Sequence, residues 1–112
     1  MTGRARAVNL RLGPYDVYVG RGRGPRGEPG MFGNPWSHAA GTLAQFRVAS
    51  RAEAIAAYRR WLVDPSFAET LPKRRRAVLA ALPSLRGCRL GCFCAPLPCH
   101  GDVLAELAEA GA

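Results

Sequence analysis

The stretch from Arg21 to Gly33 (RGRGPRGEPGMFG) places five glycines and two prolines in 13 residues, so neither a helix nor a paired strand can run through it. It cuts the chain into two unequal parts. The residues before it read as strands. Ala7 to Gly20 (AVNLRLGPYDVYVG) breaks at Gly13-Pro14 into two short extended segments, and Val17 and Val19 alternate with Tyr18. All helical periodicity lies after the loop. A connection this long in a small domain is either functional or flexible. Asn34-Pro35-Trp36 closes it, because the residue before a proline is biased to an extended or turn conformation.

Ser50 and Glu53 make a capping box ahead of Ala54, Ile55, Tyr58, Trp61 and Leu62, which predicts a helix over Ser50 to Asp64 that Pro65 ends. A second helix is predicted from Pro72 or Lys73 to Leu82, with Ala77, Val78, Ala81 and Leu82 as its apolar stripe and Pro83 as its stop. Arg89 to Cys94 reads as a buried strand, and Pro96 and Pro98 stiffen the loop after it. Cys99 or His100 to Ala110 reads as a last helix with Val103, Leu104 and Leu107 inward. This order predicts a single α/β domain over residues 1–112, a small layer fold with a short sheet, about three helices and a C-terminal strand–loop–helix unit.

With 48% hydrophobic residues the chain can build a core, which excludes a wholly disordered protein. No run approaches the roughly 20 apolar residues that a membrane-spanning helix needs. The basic start Met1-Thr2-Gly3-Arg4-Ala5-Arg6 is not followed by an apolar signal core, so the expected location is the cytoplasm.

Charge points to an anionic partner. Lys+Arg number 16 against 8 Asp+Glu, a net +8, and every cation except Lys73 is an arginine. Arginine's planar fork suits phosphate and carboxylate. An excess of Ala, Gly, Pro and Arg also follows from GC-rich coding alone, so position says more than the total. Residues 1–30 and 47–76 carry the positive charge, and the cysteine-bearing end carries little.

Cys88, Cys92, Cys94 and Cys99 fall within 12 residues, with His100 next to the last. In an extended segment Cys88, Cys92 and Cys94 share one face, and Cys99 returns at the start of a helix. A helix start carries unpaired N–H groups and a positive dipole end, which lower a thiol's pKa and attract anions. Three readings compete. In one, the cysteines are small core residues and His100 bonds to backbone. In the second, Cys92, Cys94, Cys99 and His100 hold zinc or an iron–sulfur cluster, although the spacing departs from common zinc pairs. In the third, Cys99 is a reactive thiolate, with His100 and Asp102 as acid/base or orienting groups, Asp102 alternatively capping the helix.

The run Cys92-Phe93-Cys94-Ala95-Pro96-Leu97-Pro98-Cys99-His100-Gly101-Asp102 resembles the closing motif of the family numbered 4326 among domains of unknown function. Val17-Tyr18-Val19-Gly20-Arg21-Gly22, Phe32-Gly33-Asn34-Pro35-Trp36 and the helix from Ser50 agree with that family as well. The resemblance covers nearly the whole chain. It implies a protein of phage and bacterial settings and carries no activity with it. Cys92, Cys94, Cys99, His100, Gly101 and Asp102 match its motif, whereas Cys88 does not belong to it.

Gly20-Arg21-Gly22-Arg23-Gly24 follows a strand, as phosphate-cradling loops do, and Arg21, Arg23 and Arg26 are candidate phosphate clamps. It is neither a P-loop nor a dinucleotide fingerprint. Asn34 and Trp36 are added as ligand contacts, Trp36 for stacking on a base, although a single tryptophan at such a turn is as well explained as a core lid. His38 reads as exposed. Lys73-Arg74-Arg75-Arg76 reads as a solvated helix start. The resulting expectation is a pocket where the Gly/Arg loop meets the Cys-His helix start, binding a nucleotide or nucleic acid, with chemistry at Cys99, His100 and Asp102. The alternative is a metal-stapled module that docks on nucleic acid or a partner protein.

Overall fold

The computed structural model describes residues 3–110. Three parallel strands form the main sheet: β1 (Arg6–Asn9), β2 (Val17–Tyr18) and β5 (Arg89–Cys92), in the order β1-β5-β2. The last strand in sequence is thus the central one. It pairs Ala7 with Leu90 on one side and Val17 with Leu90 on the other. A strand paired on both edges and covered on both faces should be apolar throughout, and Leu90 and Cys92 are fully buried. All three strands end at the same edge of the sheet. Their carboxyl ends are Asn9, Tyr18 and Cys92, and open α/β sheets bind ligands at that edge.

Three helices follow the expected order: α1 (Arg51–Val63), α2 (Pro72–Ala81) and α3 (His100–Ala110). Ser50 caps α1 by accepting the Glu53 N–H at 3.1 Å. The Glu53 carboxylate reaches back to the Ala49 N–H rather than to that of Ser50, a capping box displaced by one residue. Asp64 ends α1 and accepts the Ser66 N–H, starting a 3-10 turn over Pro65–Phe67. The second α-helix ends at Ala81, one residue short of the expected Leu82, and Pro83 sits in the first turn of a 3-10 continuation over Leu82–Leu85, where its missing N–H is not needed.

The strand predicted over Arg89 to Cys94 ends at Cys92, whose partner Asn9 is the last residue of β1. The parity argument therefore does not reach Cys94. A second parallel pair, β3 (Trp36–Ser37) and β4 (Phe46–Arg47), was not expected. It is held by the Phe46 N–H on the Pro35 carbonyl at 2.8 Å and the Val48 N–H on the Ser37 carbonyl at 2.9 Å.

The core lies between the sheet and the helices, around Trp61, Tyr58, Leu85, Leu90, Val103 and Leu104. Of the stripe predicted for α2 only Val78 is fully buried. The small domain gains much of its order from side chains tied to loop carbonyls. Tyr58 Oη donates to Phe32 O at 2.8 Å, Arg74 donates to Met31 O and Gly33 O, and Arg75 Nε donates to Trp61 O at 2.6 Å. The run from Lys73 to Arg76 is therefore not a uniformly solvated face. Arg74 and Arg75 strap the Gly/Arg loop and α1 to α2.

Candidate functional site

Arg21 leaves the carboxyl end of β2 half-buried, and its Nε donates to the Asn34 carbonyl at 2.8 Å. Asn34 is itself fixed. Its Nδ2 donates to Ala54 O at 3.0 Å and its Oδ1 accepts the Trp36 N–H at 2.9 Å. These bonds set Arg21 beside the first turn of α1, opposite the start of α3. Between them lies a cleft of about 170 Å3 whose lining includes Arg21, Asn34, Arg51, Cys94, Cys99 and His100. The Gly/Arg loop and the Cys-His helix start do meet.

The side-chain charges lining this cleft are cationic, the low-pKa thiol of Cys94 excepted. Arg21 and Arg51 line it, no Asp or Glu does, and α1 and α3 both begin at its wall. Two helix N-termini direct partial positive charge into the same space. Arg51 is the first residue of α1, where the dipole disfavours a cation, and its Nη1 reaches toward Pro98 O at 3.5 Å. Sequence reasoning missed Arg51. The local signal was its place directly after the Ser50 cap.

Several candidates are elsewhere. Arg26 is held away, with Nε on Tyr15 Oη at 3.1 Å, its guanidinium 4.4 Å from the Tyr15 ring centre and an ion pair to Glu28. Arg23 is exposed and does not line the cleft. Gly20 and Gly22 do not line the cleft, and close packing requires glycine in this loop. A Cβ on Gly20 would lie 2.6 Å from Tyr18 Oη, Gly22 has φ +67°, and a Cβ on Gly30 would lie 2.5 Å from Gly22 O. Trp36 stacks on Phe46 at 5.0 Å and meets Trp61 and Phe67 edge-on, which makes it a core lid and not a platform for a base. His38 is exposed at the cleft rim, as expected.

Cys92, Cys94, Cys99 and His100 gather at the start of α3. Cys92 Sγ and Cys99 Sγ are 3.4 Å apart, whereas Cys88 lies apart with its thiol on Ser84 O. The roles differ from those expected. Cys99 is buried and shares its proton with its neighbours. Donation to Cys92, then to Cys94, together with burial, raises its thiol far above the ordinary range, against the pull of the Gly101 N–H. Cys94 is only half-buried and lines the cleft. The Cys99 thiol first, then Arg51 and Arg21, lower it to about 6. Cys92 is lowered to about 6 in the same way, by the Cys99 thiol first, so Cys92 and Cys94 are the low-pKa thiols and Cys94 is the one that lines the cleft.

His100 is a buried residue bonded to backbone. Its Nε2 pairs with the Val19 carbonyl, and its ring stands edge-on to Tyr58 at 5.1 Å. Burial holds it neutral, down to about 4. Of the two roles expected of Asp102, orienting His100 or capping the helix, the structure has the cap. The Asp102 Oδ2 accepts the Cys99 N–H at 3.0 Å and caps α3. With Nε2 turned onto Val19, only Nδ1 of the ring stays free, and Asp102 is committed to the cap. Among the described residues no group of three or more His, Cys, Asp and Glu is set to hold an ion.

The neutral histidine makes a pH prediction. Its folded pKa lies below the unfolded value of 6.5, so the unfolded chain binds the proton first as pH falls. Its contribution is complete above pH 6.5 and declines down to pH 4, by up to about 3 kcal/mol. Urea unfolding of wild type and His100→Gln across that range should show the difference between the two curves shrinking as pH falls. A constant difference would contradict a neutral buried imidazole.

Fold and site together define a small α/β domain with a cationic, thiol-lined cleft at the carboxyl ends of parallel strands. The chain belongs to the family described as domain of unknown function DUF4326, which matches residues 3–110. A 28-residue segment is 61% identical to an uncharacterized 12.4 kDa protein in the nrdA-td intergenic region of Enterobacteria phage T4. That segment covers 25% of this chain and 26% of the phage protein, so the match spans about a quarter of the relative's length. No solved structure matches the chain significantly. No helix among the described residues is long and apolar enough to cross a membrane.

Proposed function

We propose that this protein binds the phosphate group of a nucleotide or of a nucleic-acid end in the cleft between Arg21, Arg51 and the start of α3. The carrying observation is the convergence of two arginines and two helix N-termini on a space that no carboxylate lines. A cleft of about 170 Å3 suits a phosphate and is too small for a whole nucleotide, since small-molecule sites run to roughly 300–1,000 Å3. A groove along α1 shares Arg51, Ile55 and Pro98 with it, is floored by Ala52 and Ala56, and gives the nucleoside an apolar place outside the cleft. The hollow beside β2 is less suited. It measures about 400 Å3, but Asp16 and Glu28 line it, and its one lining arginine, Arg26, is already tied to Tyr15 and Glu28.

The test is calorimetric titration of the reduced protein with inorganic phosphate and with a nucleoside monophosphate. Arg51→Ala should weaken both by at least about tenfold, the loss of one charge-assisted hydrogen bond. Arg26→Ala should change neither, because Arg26 is tied to Tyr15 and Glu28. Equal losses for the two variants would return the clamp to the glycine-rich loop and overturn this assignment.

A further inference from the structure

We propose that Cys94 and Cys99 form a dithiol redox site that reduces hydroperoxides, with Cys94 as the sulfur that is attacked and Cys99 as the sulfur that resolves it. The arrangement of the three clustered thiols carries the idea. Cys94 is half-buried and lines the cleft, so a small oxidant reaches it; Cys99 meets the same cleft wall but is only 3% exposed, and Cys92 is buried. Arg51 and Arg21 stand beside Cys94, and cations near a thiol favour the thiolate, the form that reacts. Cys99 Sγ lies 3.4 Å from Cys92 Sγ and lines the same cleft as Cys94. Cys88 has none of these neighbours, only the Ser84 carbonyl.

The chemistry balances with a hydroperoxide as oxidant. The Cys94 thiolate attacks the terminal oxygen, the O–O bond breaks, and the departing alkoxide takes a proton from water. Cys94 is then a sulfenic acid. The Cys99 sulfur attacks the Cys94 sulfur, the S–O bond breaks, and hydroxide leaves. The Cys99 proton neutralises it to water, and Cys92 Sγ at 3.4 Å is the nearest acceptor through which that proton passes. Two thiols are oxidised to one disulfide, and the hydroperoxide is reduced to an alcohol and water. An external thiol restores the site by exchange.

The site is tested on the full reduced chain with hydrogen peroxide, followed by intact mass and peptide mapping. Wild type should lose about 2 Da, with a Cys94–Cys99 cross-linked peptide that dithiothreitol reverses. Cys99→Ser should instead stop at Cys94 sulfenic acid, a gain of about 16 Da that dimedone traps. Cys94→Ser should remove the rapid phase, and Cys88→Ser should leave it unchanged. Should Cys99→Ser fail to fold, brief dimedone labelling of wild type still decides, because Cys94 should be labelled before any other cysteine. Labelling of Cys88 at the same rate, or a Cys92–Cys99 bond in place of Cys94–Cys99, overturns the proposal.

Discussion

Replacing Arg21 and Arg51 together by alanine is expected to weaken nucleoside monophosphate binding by about 100-fold or more, since each charge-assisted hydrogen bond contributes about 1.5–3 kcal/mol. The two should not be equivalent. Arg21 is held by the Asn34 carbonyl, so its removal also loosens the wall of the cleft. Arg51 reaches only Cys94 and, at long range, Pro98 O, so its removal reads mainly as binding. For a phosphorylated oligonucleotide the double variant should also lower the log–log salt slope by about two, one for each arginine that no longer meets a phosphate. Circular dichroism must show the variant folded. An unchanged affinity with an unchanged slope would place phosphate binding elsewhere.

The largest effect on stability is expected at Trp61. Its ring is fully buried, packs against Tyr58 at 5.7 Å and Trp36 at 6.0 Å, and its Nε1 donates to Thr70 O at 2.7 Å. Trp61→Ala opens a cavity where α1 meets β3 and leaves the Thr70 carbonyl without that donor. A loss of about 3–5 kcal/mol follows. In a domain of this size that lowers Tm by more than about 10 °C. A thermal scan showing less than half of that would mean the core closes around the gap.

Local signals carried much of the fold. Ser50 with Glu53 announces the start of α1, Pro65 its end, and the Val103 and Leu104 spacing the inward face of α3, because each acts within a turn or two of chain. The β3–β4 pair was illegible for the opposite reason. Two-residue strands have no period to read, and this pair rests on Phe46 and Val48 reaching back to Pro35 and Ser37.

The site divides in the same way. Arg21 could be named from its place after a strand, but whether Arg26 joined it depended on Tyr15, 11 residues earlier in the chain and poised to take it away. Arg51 gained its role only when α1 packed beside the Cys94–Cys99 loop, where it meets Pro98, 47 residues distant in sequence. The cysteine cluster was visible as a motif. The exchange of roles between Cys94 and Cys99 was not, because burial and neighbouring thiols outweigh the helix end at Cys99.

The most direct measurement is chemical-shift mapping of the reduced wild-type protein titrated with a nucleoside monophosphate. Saturable shifts should appear at the backbone of Arg21, Asn34, Arg51, Cys94 and Cys99 to Gly101, with smaller ones at Ala52 and Ala56 along the groove. Shifts confined to Asp16, Tyr18 and Glu28 beside β2, or no saturable shifts at all, would contradict the phosphate cleft.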